Sequence, residues 1–398
     1  MKRDEPGFEH VDWKAISRSR RFLTRERVVL LLGVGFLSLL YGYDRIFAGI
    51  YTLGSWRATT LDFVFLLSIV VLVAYGIVPL LERRERVRSI VAGLGPAATV
   101  ALGYLVVFVV VGLVGPAIIS NPGLRFDHAF QPPVGFTSQV AGPTCLGAVT
   151  GGPFTELCHG TWTYPLGTNH RGLPLGFLLV SGARTAVMVL VISLVTVVPI
   201  AAAVGLIAGF RGGLVDTVLV SYVDIQLSIP AIVFYFLGYS YWGPSLLLLI
   251  VAFGLLSWGG IARLVRSEVI QRREAGHVRI ARSLGAPDRY VIRRHVLPNV
   301  TNTLVPAVFQ VLALLILFEA GVAFLGYHEL ELYSWGATIS EGINAEVAGQ
   351  MQTRAAEPGY KLWWVSTWPA LALTATLASL KVLGDGLRDE LDPRGGHS

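Results

Sequence analysis

The chain has 398 residues, of which 53% are hydrophobic and only 15% charged, and its mean hydropathy is +0.61. A water-soluble domain does not tolerate that balance, so the fold is built with lipid as its solvent. The net charge of +6 does not point to nucleic acid, because the positive residues sit beside apolar segments, where they set topology.

Residues 1–27 are polar and carry eight Lys or Arg, the wrong pattern for a cleavable signal peptide, so the first apolar segment is expected to act as an uncleaved anchor. Crossing a hydrocarbon core of about 30 Å takes about 20 apolar residues. Eight candidates follow in chain order: 28–44, 61–81, 96–119, 182–210, 214–239, 244–264, 297–325 and 366–387. The first is short and is followed at once by Asp44 and Arg45, but the charge distribution supports it. With eight spans and an inside N-terminus, 25 of the 32 Lys and Arg fall on the cytoplasmic side. That asymmetry is the positive-inside bias, and deleting the first span would throw the eight N-terminal charges outside. The expectation is an all-α, multi-pass protein of the cell membrane with both termini in the cytoplasm.

Two outside loops are large, 120–181 and 326–365, and loops of this size carry function or a docking surface. Cys145 and Cys158, the only cysteines, both fall in the first of them. On the oxidising side they read as a disulfide restraining a Gly-rich stretch by about 3 kcal/mol, with two free thiols as the alternative.

The inside loop 266–296 is the most informative stretch. Val278, Ala281 and Leu284 recur at three-residue steps with Ile280 beside them, giving a short helix one apolar stripe flanked by Arg279 and Arg282. Gly285 supplies a stop, Ala286 follows, and Pro287 can open a second helix with Asp288 in its first turn. A short amphipathic helix outside the membrane, held at both ends by spans, transmits force when a soluble partner grips it.

This loop resembles the signature of the binding-protein-dependent ABC permeases: Glu-Ala-Ala, three residues, Gly, nine residues, Ile, one residue, Leu-Pro. It matches at Ala281, Gly285, Leu297 and Pro298, and the run His295, Val296, Leu297, Pro298, Asn299 resembles an ending common in the peptide and nickel branch. In that register Arg279 stands for the family's Glu and Ile280 for its first Ala, reversing a charge expected to face the ATPase. Glu274, Ala275 and Gly276 form a decoy, since Ile280 then falls where glycine belongs.

The resemblance runs from about residue 165 to the end. Pro165, Leu166, Gly167, Thr168 and Asn169 resemble a Pro-Leu-Gly-Thr-Asp motif, with Asn169 departing from it, and Gly182, Ala183 and Arg184 resemble a Gly-Ala-Arg motif. For these, an external gate element and a simple turn stand side by side. Ser334, Trp335, Gly336, Glu341 and Gly342 resemble the family's external loop. Gly384, Asp385, Gly386, Leu387, Arg388, Asp389, Leu391, Asp392, Pro393 and Arg394 resemble its tail, where a helix-ending cap at Gly386 is the alternative.

The resemblance implies the helix bundle of a type I ABC importer permease of the dipeptide, oligopeptide and nickel class. Its substrate would be peptides or a related solute such as nickel. Two ATP-binding subunits would bind ATP and Mg, a second homologous permease would complete the pore, and an external solute-binding protein would deliver substrate. The layout is then a cytoplasmic segment at 1–27, an additional transmembrane hairpin with its cytoplasmic linker at 28–95, a first core span and external loop at 96–181, and the permease core at 182–398.

Glu319 lies in an apolar run, where a lone carboxylate costs about 2–3 kcal/mol, so it is expected to face protein or a wet path. An interhelical hydrogen bond is favoured over substrate contact, and Asp216 and Asp224 are expected to have structural partners too. No Gly-x-x-x-x-Gly-Lys-Ser/Thr loop occurs, nor His-Glu-x-x-His, paired-cysteine zinc spacing or Gly-x-Ser-x-Gly. The expectation is a transport subunit with no catalytic residues, no metal site and no nucleic-acid partner. The rivals are an ion-coupled secondary transporter using Glu319 and Asp224, and a sensor or scaffold.

Overall fold

The computed structural model describes residues 24–47, 58–139, 144–152, 156–329, 332–343 and 362–391. Seven continuous helices among these are long and apolar enough to cross a membrane: α1 Arg25–Ile46, α2 Thr60–Glu82, α4 Pro96–Ile118, α5 Leu175–Arg211, α8 Leu246–Arg273, α10 Asp288–Phe324 and α12 Trp363–Leu391. Between them lie α3 Arg84–Gly93, α6 Gly213–Ser228, α7 Ala231–Trp242, α9 Gly276–Ser283 and α11 Trp335–Ile343.

The expected fifth span, 214–239, is not one straight helix. It is the pair α6 and α7, bent by 70°. Pro230 has no N–H to give, and its ring forces the preceding residue out of the helical region, so Ile229 is extended at φ −94°, ψ 119°. The pair still makes one crossing. Asp216 pairs with Arg266, Gly259 faces Val223 and Leu227, and Gly238 faces Leu248, so α6 and α7 run antiparallel along nearly the whole of α8. Counted that way, the described residues cross eight times.

Prolines also explain the local widening of two helices. Pro79 and Pro298 would press against the carbonyls four residues earlier, and each helix opens there into a π turn, Val73–Ile77 and Ile292–Val296. The second turn lets α10 begin at Asp288, nine residues before the apolar run that marks the span.

Three apolar clusters stack along the bundle. The middle one joins α4, α5, α8, α10 and α12 through residues such as Phe108, Val187, Phe253, Ile316 and Leu380. At the Arg211 end, Phe210, Val265 and Val269 close over Val278, Ala286, Val291 and Val296. At the opposite end Phe130, Leu173, Leu175 and Trp364 gather under the long loop.

That loop contains three short antiparallel strands, β1 Thr137–Ser138, β2 Val149–Thr150 and β3 Leu157–His159, in the order β1-β3-β2. Cys145 and Cys158 are joined in a disulfide. Gln131, only 3% exposed, braces the same segment by donating to Thr144 O at 2.7 Å and accepting from Leu146 N at 3.1 Å.

The first hairpin is docked through α2 alone. Leu61 and Phe65 enter the middle cluster, whereas α1 has no buried residue and touches α2 through Gly33 against Val70 and Tyr41 against Phe63. Thr59 and Asp62 form a reciprocal capping box that fixes the start of α2, and Asp62 also accepts from Arg184 Nη2 at 3.0 Å. Residues 1–23, most of the segment 1–27, lie outside the described residues, as do Asp392, Pro393 and Arg394 of the tail.

Candidate functional site

The segment between α8 and α10 is a short helix with a packed inner side and an exposed outer side. Its end is fixed by backbone geometry. Gly285 N donates to Arg282 O at 2.9 Å and Ala286 N to Ala281 O at 3.1 Å, while Gly285 adopts φ +78°. This is a Schellman ending, which needs a residue that tolerates the left-handed region. Pro287, extended at ψ 147°, is the N-cap of α10, one position earlier than the first helical residue, and Asp288 opens the helix.

The expected stripe of Val278, Ala281 and Leu284 is split. Val278 is wholly buried and Ala281 packs inward beside it, but Leu284 is 61% exposed and shares its outer face with Ile280 at 63%. Three-residue steps slip by about 60° each on a helix of 3.6 residues per turn, so two steps carry Leu284 off the inner face. Ile280 and Leu284, four apart, are the true neighbours.

Charges hold the inner side to the spans. Arg282 stacks over the Phe210 ring at 4.5 Å and lies 3.8 Å from Asp288. Beneath it Arg273 donates to Gly209 O at 2.9 Å, Arg266 makes a two-pronged pair with Asp216, and Arg263 pairs with Asp224. Glu274, set aside as a decoy in the sequence, accepts from Arg279 Nη2 at 2.9 Å. That hydrogen bond, with the neighbouring Arg273, holds the Glu274 carboxyl below the usual range. The exposed Arg279 therefore presents a paired charge, a feature legible only as opposite charges five residues apart across a helix start.

Leu297 and Pro298 follow the π turn of α10, where Asn299 Nδ2 donates to His295 O at 2.7 Å. In α12, Gly384 and Gly386 do not end the helix, which runs on to Leu391. They are close-packing positions, with Gly384 against Phe309 and Gly386 against Ala98, while Asp385 and Arg388 stay at the surface. The cap at Gly386 is thus replaced by helix packing.

At the far end of the bundle the motifs expected outside converge. Gly182 lies under the Trp335 ring, whose Nε1 donates to Leu179 O at 3.0 Å, and a Cβ on Gly336 would stand 1.8 Å from Ala320 O. Asn169 Nδ2 donates to Glu341 at 2.8 Å, with His170 and Arg171 at 3.5 and 4.0 Å. Burial alone would raise the Glu341 carboxyl, but the nearby His170, the Asn169 hydrogen bond and the Arg171 charge outweigh it and hold it low. Gly167 and Thr168 are seated on Trp364, whose Nε1 donates to Thr168 O at 3.2 Å.

Glu319 is 5% exposed on α10 and lies near Ser334, on the loop entering α11. Tyr235 and Thr185 line the small cavity beside it, and Tyr235 donates to Tyr327 O at 2.8 Å.

The sequence profile described as "Binding-protein-dependent transport system inner membrane component" matches residues 201–396. The chain is 33% identical over 231 residues to an oligopeptide transport system permease protein of Haemophilus influenzae, covering 57% of this chain and 70% of that one. It is 28% identical over 214 residues to a dipeptide transport system permease protein of Bacillus subtilis, covering 54% and 63%. It is 33% identical over 184 residues to an oligopeptide transport system permease protein of Escherichia coli, covering 46% and 57%. The chain thus spans between 57% and 70% of the length of these relatives. A multi-pass bundle carrying that profile, with relatives so aligned, belongs to the binding-protein-dependent transport system inner membrane component family: it is a transmembrane permease.

Proposed function

We propose that this permease is the membrane subunit of an ABC importer that moves peptides or a related solute by alternating access. Its motor is a pair of separate ATP-binding subunits, which hold ATP and Mg. Their grip falls on the outer face of α9, on Ile280, Leu284 and the Glu274-paired Arg279, with Gly285, Ala286 and Pro287 setting the corner that passes the stroke to α10. The observation that carries this reading is the pair of exposed apolar side chains, Ile280 and Leu284, on a helix otherwise pinned by Val278 and by Arg282 over Phe210. A face left apolar outside the spans is a docking face.

A second homologous permease completes the pore, and an external solute-binding protein meets the opposite end, where Trp335 and Glu341 organise the loops. Both termini and α9 lie on the cytoplasmic side, in line with the clustering of 25 of the 32 positive residues there. Reconstituting the chain with and without its ATP-binding subunits tests the reading. Uptake should require both the subunits and ATP; uptake by the chain alone, driven by an ion gradient, would overturn it.

A further inference from the structure

The linker between the first hairpin and the rest of the bundle carries Arg83, Arg84, Arg86 and Arg88 with Glu85 as its one acid. The structure makes most of it the ten-residue helix α3. At about 100° per residue, Val87, Ile90 and Val91 share an arc of about 100°. Arg84 and Arg88 stand at one edge of that arc and Arg86 at the other, while Glu85, Ser89, Ala92 and Gly93 take the opposite side.

No residue of α3 is fully buried: Val87 and Ile90 are half-buried and Val91 is 41% exposed. The helix is tethered at its end, where Gly93 meets Glu390 of α12 and Leu94 enters the middle cluster. Glu85 lies 3.7 Å from Arg84 and 3.6 Å from Arg88, but those side chains are 74% exposed, and pairs so exposed are readily exchanged. The level of α3 is fixed as well. It follows the last residue of one span, Glu82, which pairs with Arg25 at the start of α1 at 3.6 Å, and it precedes Pro96, the first residue of the next.

We propose that α3 is an interfacial helix that binds anionic phospholipid. Val87, Ile90 and Val91 sink into the boundary between headgroups and acyl chains, and the flanking arginines bind headgroup phosphates. The occupant is lipid because Val91 is left exposed at the edge of the arc, the helix begins and ends where spans leave the membrane, and the arginines bracket the apolar arc. The helix then anchors the hairpin and sets the height of α4.

The test uses the full chain in nanodiscs of phosphatidylcholine doped with phosphatidylglycerol, reading lipid retained after detergent extraction by native mass spectrometry. Wild type should retain phosphatidylglycerol over phosphatidylcholine. R84Q/R86Q/R88Q should lose that preference by about fivefold per arginine removed, and high salt should mimic the loss. Equal retention of the two lipids by wild type, or an unchanged preference in the triple variant, would overturn the proposal. A V91W variant supplies a readout independent of the arginines: brominated acyl chains should quench a tryptophan that sits in the bilayer. No selective quenching would place α3 in water or on another protein, and would also overturn it.

Discussion

Replacing Ile280 and Leu284 together with alanine removes the exposed apolar pair from α9 without touching its packed side. Full burial of such side chains is worth about 1.5–3 kcal/mol each. They are 63% and 61% exposed, so about three-fifths of that gain is still to be made when a partner closes over them. Alanine keeps the Cβ, which leaves a loss of about 2–3 kcal/mol for the pair, or about 30- to 150-fold in affinity for the ATP-binding subunits. The midpoint of thermal unfolding should stay near wild type, because exposed substitutions cost at most about 0.5 kcal/mol. Val278→Ala, on the inner side, should do the reverse: it leaves a gap among Phe210, Val265 and Val269 and lowers stability by about 1–3 kcal/mol. The assay is binding of the ATP-binding subunit to purified permease, beside calorimetry of each variant. A double variant that binds as tightly as wild type would refute the assignment of the outer face.

Gly285→Val forces a β-branched residue to φ +78°, at a cost of about 1–2 kcal/mol, and should leave ATP hydrolysis running while transport per ATP falls; an unchanged ratio would count against the corner as a transmitter. Asp62→Asn removes a partly buried partner of Arg184 and should loosen α2 by about 2 kcal/mol, read as faster hydrogen exchange at the start of that helix; unchanged exchange would mean that Leu61 and Phe65 hold the hairpin alone. Acid should loosen the external junction in two steps, because both groups bind fewer protons when folded. Burial lowers His328, which follows α10 and lies within the fields of Glu341 and Arg171, so its contribution is present above its ordinary value near 6.5 and fades as pH falls below it. Glu341 is also held low, so its contribution is full above the ordinary carboxylate value near 4.5 and is lost at more acid pH; Glu341→Gln should flatten that second step.

Span-length apolar runs were legible because lipid demands them, and the Gly285 stop was legible because only a left-handed residue ends a helix that way. The break at Pro230 was also in the sequence, but the continuous apolarity of 214–239 masked it, since hydropathy reads length and not direction. The split of the α9 stripe could have been read from phase: 280 and 284 keep one face, whereas 278, 281 and 284 drift. Gly386 misled because a glycine near a helix end serves a cap and a close crossing equally, and only the neighbouring Ala98 decides between them. What no local pattern carries is long-range pairing. Asp62 with Arg184 and Asn169 with Glu341 join residues that only the finished bundle brings together.

Another pairing bears on the ion-coupled rival. Asp224 is engaged by Arg263, so it does not stand ready as a free coupling site.

The most direct test places a photo-activated cross-linking residue at position 284 in the assembled transporter and, separately, at position 278. The account predicts an adduct between position 284 and an ATP-hydrolysing subunit, changing in yield when nucleotide is added, and none from position 278. Position 284 remaining uncross-linked to any such subunit, in a complex that still hydrolyses ATP and transports, would contradict it.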